Sequence, residues 1–232
     1  MVRSGRLPGG DMERSVSRSA GVDPGEPRSP DSQQRLVAVN GPPGVGKTTV
    51  LDRTLASTSR AVRPAMVTTR SPRPGEERTD QYHYIDDLQF ERLVQDGEML
   101  TFVTANGGFR YGLTNSSLDS ISIDQVALLE LHPEHIGQLG DIPVTTVLIV
   151  PPTVDVLRKR LFGRATEPID QLESRLVSGR SVLSYTDNFD FVIVNDDIET
   201  SARELEAVIV VEWMRLQRVN RRAVSRQVMH ML

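Results

Sequence analysis

GPPGVGKT, residues 41–48, is the stretch that fixes the architecture. It matches the pattern G-x-x-x-x-G-K-[ST]. At an average glycine usage of ~7%, a random chain of this length meets that pattern about once in a hundred. Its context sharpens the reading. A short β-rich run, LVAVN (36–40), precedes it, and a helix-like TTVLDRTLA follows. Glycines at these spacings let backbone N–H groups turn inward around a phosphate, and the start of the helix adds partial positive charge. The residues Gly41, Pro42, Pro43, Gly44, Val45, Gly46, Lys47, Thr48 and Thr49 are therefore candidates to bind ATP or GTP. Lys47 reaches the β- and γ-phosphates, and Thr48 holds Mg²⁺ as the metal-binding residue.

Outward from this loop, apolar runs alternate with helical patterns. VALLEL (126–131), VTTVLIV (144–150) and FVIVN (191–195) join LVAVN as candidate buried parallel strands. Helices are predicted over 48–58, 87–96, 153–163 and 168–183. The fold class is α/β, a doubly wound parallel sheet with helices on both faces. Residues 1–34 carry five arginines against five acids and almost no large apolar side chains, so a disordered tail is expected. The globular domain spans 35–212. The segment from 213 to 232 reads as a basic C-terminal amphipathic helix packed on the core by Trp213 and Leu216.

Composition bounds the function. The 232 residues suit one domain with tails. A net charge of -4 gives no global basic field, so nucleic acid is not an expected partner. Cysteine is absent, which excludes disulfides and thiolate chemistry and fits a reducing cytoplasm. No apolar run approaches the ~20 residues of a membrane span, and no membrane partner is expected. His132 and His135 flank Glu134 in LHPEH, but Pro133 suggests a helix start and no further ligand cluster accompanies them, so a metal site is not assigned there.

A second motif indicates where the phosphate goes. TTRSPRPGEERTDQYHY (68–84) carries Arg70 and Arg73, prolines, and Tyr82 and Tyr84. It lies about 20 residues after the loop's helix, where a kinase places its acceptor. Arginine forks and tyrosine hydroxyls are the donors expected around a phosphate monoester.

With these residues the chain resembles the guanylate kinase family over nearly all of 35–212. GPPGVGKT is followed by TTRSPRPGE, by Tyr82 nine residues after Arg73, by Tyr111-Gly112, by RKRLFGRATEP then SRL, and by IVNDD at 193–197. The resemblance implies an acceptor-binding insert near 66–123 and a lid near 153–176. It implies that Arg70, Arg73, Tyr82 and Tyr111 hold the acceptor phosphate, and that Arg160, Arg164 and Arg175 close on the transferring phosphoryl group as catalytic residues beside Lys47. Asn195 would sit near the adenine of ATP, with Mg²⁺ as cofactor. Glu130 stands where the family has the first Asp of a D-I-D motif.

The departures cluster in the base pocket. Met66 replaces a serine, Thr101 replaces the glutamate that reads guanine, and Leu113 replaces a hydroxyl residue after Y-G, with Thr114 one place on. These residues line the acceptor-binding site if the resemblance holds there. They lead to the expectation of an ATP-dependent kinase acting on a nucleoside monophosphate or similar phosphate monoester other than GMP. An ordinary GMP kinase, and a catalytically silent binding module of the same fold, are the alternatives. Oligomeric state is left open.

Overall fold

All five residues of β1 (Leu36–Asn40) are buried, and the rest of the domain is laid down around them. The computed structural model describes residues 34–72, 76, 81–105, 107–122, 124–162 and 189–230. In chain order β1 leads to α1 (Lys47–Ser57), β2 (Ala61–Val62), β3 (Met66–Thr68), β4 (Tyr82–Tyr84), α2 (Asp87–Gln95), β5 (Met99–Thr104) and β6 (Arg110–Thr114). Then come α3 (Asn115–Asp119), β7 (Val126–Glu130), α4 (Pro133–Ile136), β8 (Val144–Val150), α5 (Val154–Phe162), β9 (Phe191–Val194) and α6, Ile198–His230.

Five strands form one parallel sheet in the order β2-β7-β1-β8-β9. The four apolar runs expected as parallel strands supply β1, β7, β8 and β9. Alternation along β1 explains why it needs cover on both sides. Val37 and Val39 enter one core with Val50, Leu128, Ile149, Leu157, Leu205 and Ile209. Leu36 and Ala38 enter another with Met66, Leu113, Leu118 and Leu129. Helices α1, α5 and α6 cover the first core. A second, four-stranded sheet in the order β4-β3-β6-β5 contributes to the second. Its strands fall between residues 66 and 114, and most of them had no strand signal beyond short motifs.

The helices expected at 48–58, 87–96 and 153–163 are α1, α2 and α5, within a residue at each end. The helix expected at 168–183 and the tail 1–33 lie outside the described residues. The C-terminal segment differs from its reading as a separate element. One unbroken helix of 33 residues runs from Ile198 to His230. The physical reason is anchoring across its middle. Glu212 is 1% exposed and accepts from Arg35 at 2.7 Å and Arg215 at 2.6 Å. The indole of Trp213 donates to the Asp124 carbonyl and lies under the Arg60 guanidinium.

The chain leaves β1 through Asn40, a buried side chain whose amide donates to the Leu131 carbonyl and whose oxygen accepts from the Gly41 N–H. This ties the exit of β1 to the segment that follows β7. Asn40→Ala leaves two buried backbone groups unpaired, and each such loss costs about 1–3 kcal/mol. Denaturant unfolding is expected to show a drop of at least about 1 kcal/mol, and an unchanged midpoint would refute the tie.

Candidate active site

Residues 41–46 cross from the end of β1 to the start of α1. Gly46 caps α1 in the left-handed conformation, with φ of 100°, and supplies no side-chain cap. A Cβ there would stand 2.7 Å from the Asn195 amide nitrogen, so only glycine fits. The first turn of α1 carries no acid. Its open N–H groups and dipole therefore favour an anion. Lys47 Nζ donates to the Gly41 carbonyl at 3.0 Å and lies 3.8 Å from Glu130 Oε2. Burial lowers the Lys47 pKa, and Glu130 opposes that shift. The Thr48 hydroxyl donates to Glu130 Oε1 at 2.7 Å.

Glu130, at the end of β7, thus faces both Lys47 and Thr48. A hydroxyl and a carboxylate oxygen side by side are the hard donors that suit Mg²⁺, which takes one or two protein ligands and completes its shell with phosphates and water. The residues fit the cofactor. Among the described residues no group of three or more His, Asp and Glu is placed to hold a metal alone.

Asn195 and Arg160 have a different place from the one expected. The Asn195 side chain is buried and donates to the Val45 carbonyl at 2.7 Å, while its oxygen accepts from Ser201. Arg160 Nη1 donates to the carbonyls of Val45 and Asn195. Both brace the phosphate loop from behind.

The acceptor side assembles on the second sheet. Arg70 is held on three sides, donating to the Tyr111 hydroxyl at 3.0 Å, the Ser71 carbonyl at 2.8 Å and Glu76 at 2.8 Å. It also lies over the rings of Tyr82 and Tyr84. Burial works against its charge, but the hydrogen bonds it donates to Glu76 and Tyr111 outweigh that and raise its pKa. Burial and then the Glu130 charge push Tyr82 up to about 12, so its hydroxyl stays a neutral donor at physiological pH. One pocket joins the two halves. Thr48 and Glu130 line it on the loop side, and Arg70, Glu76, Tyr82 and Tyr111 on the other. Arg73, Arg164 and Arg175 lie outside the described residues.

Of the three departures in the base pocket, only Met66 lines this cavity. Leu113 is fully buried in the core with Met66, Leu118 and Leu129. Thr101 is 1% exposed and its hydroxyl meets His135 Nδ1, the His135 carbonyl and the Gln138 amide oxygen at 3.0–3.2 Å. A hydroxyl has one proton. It donates to one of the two oxygens at a time, and it accepts from the imidazole when Nδ1 carries the ring proton. Gln138 also exchanges hydrogen bonds with the Phe102 backbone. Thr101 therefore fastens β5 to the segment around α4 and does not face the cavity. Thr114 caps α3 through the Ser117 N–H and is likewise engaged. Sequence reasoning missed Glu76, although it is the last residue of TTRSPRPGE. It also missed Arg63 and Gln81 in the pocket lining, for which no pattern existed.

The comparisons with known proteins agree with this geometry. The family model described as guanylate kinase matches residues 33–212. The chain belongs to the guanylate kinase family. The match ends inside α6, the long C-terminal helix. A guanylate kinase of Wolbachia sp. subsp. Brugia malayi is 33% identical over 184 residues, covering 78% of this chain and 94% of that relative. One from Streptomyces kasugaensis is 34% identical over 187 residues, covering 79% and 91%. The crystal structure of guanylate kinase from Anaplasma phagocytophilum superposes with a TM-score of 0.62 at 26% identity, over 79% of this chain and 88% of that one. All three are named guanylate kinases, which does not favour the expectation of an acceptor other than GMP. That expectation leaned on Met66, Thr101 and Leu113, and of these only Met66 reaches the pocket. In this family member, no described helix is long and apolar enough to cross a membrane.

The buried His135 sets a pH dependence. Burial, then the neighbouring His132, lowers its pKa from 6.5 to about 4. The unfolded chain therefore binds the proton more tightly, and stability is lost as pH falls from about 6.5 to about 4. The expected loss between pH 7.5 and pH 5 is about 2 kcal/mol. Denaturant titrations at both pH values should show this drop in the native chain and a clearly smaller one in His135→Gln. Equal drops in both would refute the assignment.

Proposed function

We propose that the protein transfers the γ-phosphoryl group of ATP to GMP, giving ADP and GDP. The observation that carries this reading is the shared pocket. Its walls are the phosphate loop's Thr48 with Glu130, and an arginine–tyrosine grip for a second phosphate.

ATP lies with its phosphates along residues 41–48, and the acceptor phosphate lies against Arg70, Tyr82 and Tyr111. The family resemblance assigns Arg73 to this grip and Arg164 and Arg175 to the lid, while Arg160 braces the phosphate loop through the Val45 carbonyl. An acceptor phosphate oxygen forms the new bond to the γ-phosphorus as the bond to the β–γ bridging oxygen breaks and ADP leaves. The nucleophile is already an anion, so no general base is required. Positioning and charge compensation carry the rate. Lys47 supplies positive charge beside the transferring group. Thr48 and Glu130 hold Mg²⁺, which when bound neutralises charge on the ATP phosphates. Residues 35–212 form the kinase domain in this reading, with the acceptor insert near 66–123.

Two variants separate the halves of the site. Lys47→Ala should reduce kcat by ~10²–10³, the usual effect of removing one electrostatic stabiliser, and leave the thermal unfolding midpoint close to the native value. Arg70→Ala should raise the acceptor KM or lower kcat by roughly 10- to 150-fold, the worth of a charge-assisted hydrogen bond, with the KM for ATP little changed. Equal weakening of ATP and acceptor would assign Arg70 to structure alone. The reading as a whole is tested by ADP release with GMP, dGMP, AMP, CMP, UMP and dTMP under one set of conditions. GMP is expected to lead, and a folded protein that turns over none of them with ATP would overturn it.

A further inference from the structure

The acceptor pocket contains a cation outside the phosphate grip. Arg63 sits between β2 and β3, at the seam of the two sheets, and lines the pocket with Pro64, Met66 and Tyr82. Its Nη1 pairs with Asp52 of α1 at 2.8 Å, and its side chain is 17% exposed. Its Nη2 is buried and has no hydrogen-bond partner, alone in this among the buried side-chain nitrogens and oxygens of the described residues. Folded proteins rarely leave such a group unpaired, and a functional role or a bound water or ion is among the explanations when they do.

The chemistry of the pocket narrows what that ligand offers. A guanidinium is a fork of donors with no acceptor. It matches two acceptors on one edge of a ring. Guanine and hypoxanthine present O6 and N7 side by side, whereas adenine replaces the first by an amino donor. Met66 brings only a thioether, a weak acceptor. The two carboxylates are already held, Glu76 by Arg70 and Tyr84, and Glu130 by Thr48 and Lys47. The 2-amino group of guanine would therefore have to share a carboxylate that protein donors already hold.

We propose that Arg63 is the specificity-determining residue of the acceptor site, donating to the O6/N7 edge of a 6-oxopurine monophosphate. The 2-amino group contributes little, so IMP is accepted nearly as well as GMP, and AMP is refused. This rests on the GMP kinase reading above and assigns the base-recognising group within it.

The test is kcat/KM for GMP, IMP and AMP at saturating ATP in the native chain, Arg63→Met, Arg63→Gln and Asp52→Asn. In the native chain, GMP and IMP should lie within roughly tenfold of each other. AMP should fall at least roughly 100-fold below, near the upper limit for one bidentate pair. Arg63→Met should lower GMP and IMP by roughly 5- to 150-fold, with AMP and the KM for ATP within about twofold. Asp52→Asn should keep the GMP-to-AMP ratio, because it leaves the fork in place. If Arg63→Met does not fold, Arg63→Gln, whose amide matches the adenine N6/N7 edge instead of O6/N7, should show the same collapse of that ratio. A purely structural Arg63 would lower all three nucleotides by one factor, and that result overturns the inference. So does a native chain that prefers GMP over IMP by more than about 100-fold, since the 2-amino group is then what is read. Strong GMP turnover with an unchanged ratio in the Arg63 variants sinks this inference alone. Absence of turnover with both GMP and IMP sinks it together with the function on which it rests.

Discussion

A run of peptide N–H groups must face inward around a phosphate, and their carbonyls must then go elsewhere. That constraint organises the molecule. Asn40 closes the front of the loop by accepting from Gly41 and donating to Leu131. Asn195 and Arg160 close the back by donating to the Val45 carbonyl. The loop is thereby fixed to the ends of β1, β7 and β9, three strands of one parallel sheet. A rigid loop does not have to be ordered when ATP binds, so that entropy cost is met during folding.

The second constraint is electrostatic. Two polyanions must approach closely enough for an in-line transfer, and their repulsion grows as water is excluded. Arg70 lines the pocket paired with Glu76, and Lys47 stands behind the opposite wall, paired with the lining Glu130. These carboxylates keep partly buried cations paired when no nucleotide is present. Arg70 is also fastened by Tyr111 and Ser71, so its fork is oriented before a phosphate arrives. The Tyr82 ring lies under that fork.

The base pocket shows how one substitution can mislead when read by position. Thr101 and Leu113 stand at positions where hydroxyl or carboxylate groups were expected to face the ligand. In this fold Thr101 belongs to a buried network with His135 and Gln138, and Leu113 belongs to the core. A short side chain on β5 reaches α4 and its neighbours, whereas a longer acid there would have to point elsewhere. The pocket is instead bordered by Arg63, which arrives from the other side of β3.

The sequence by itself determined the phosphate loop, the four apolar parallel strands and the helices α1, α2 and α5. These are local: glycine spacing and apolar runs of fixed period carry their own signal. The pair Arg70 and Tyr82 was legible for the same reason, as donors set at close spacing in one motif. The tertiary structure decided what depends on meetings across the chain. It turned Asn195 and Arg160 into braces, because the end of β9 packs behind Val45. It joined the C-terminal segment to α6, because the buried Glu212 pairs with Arg35 and Trp213 donates to the Asp124 carbonyl. It also brought Arg63 to the pocket beside Asp52 and Met66. A lone arginine before a proline carries no pattern, and its burial and missing hydrogen-bond partner exist only once two sheets meet.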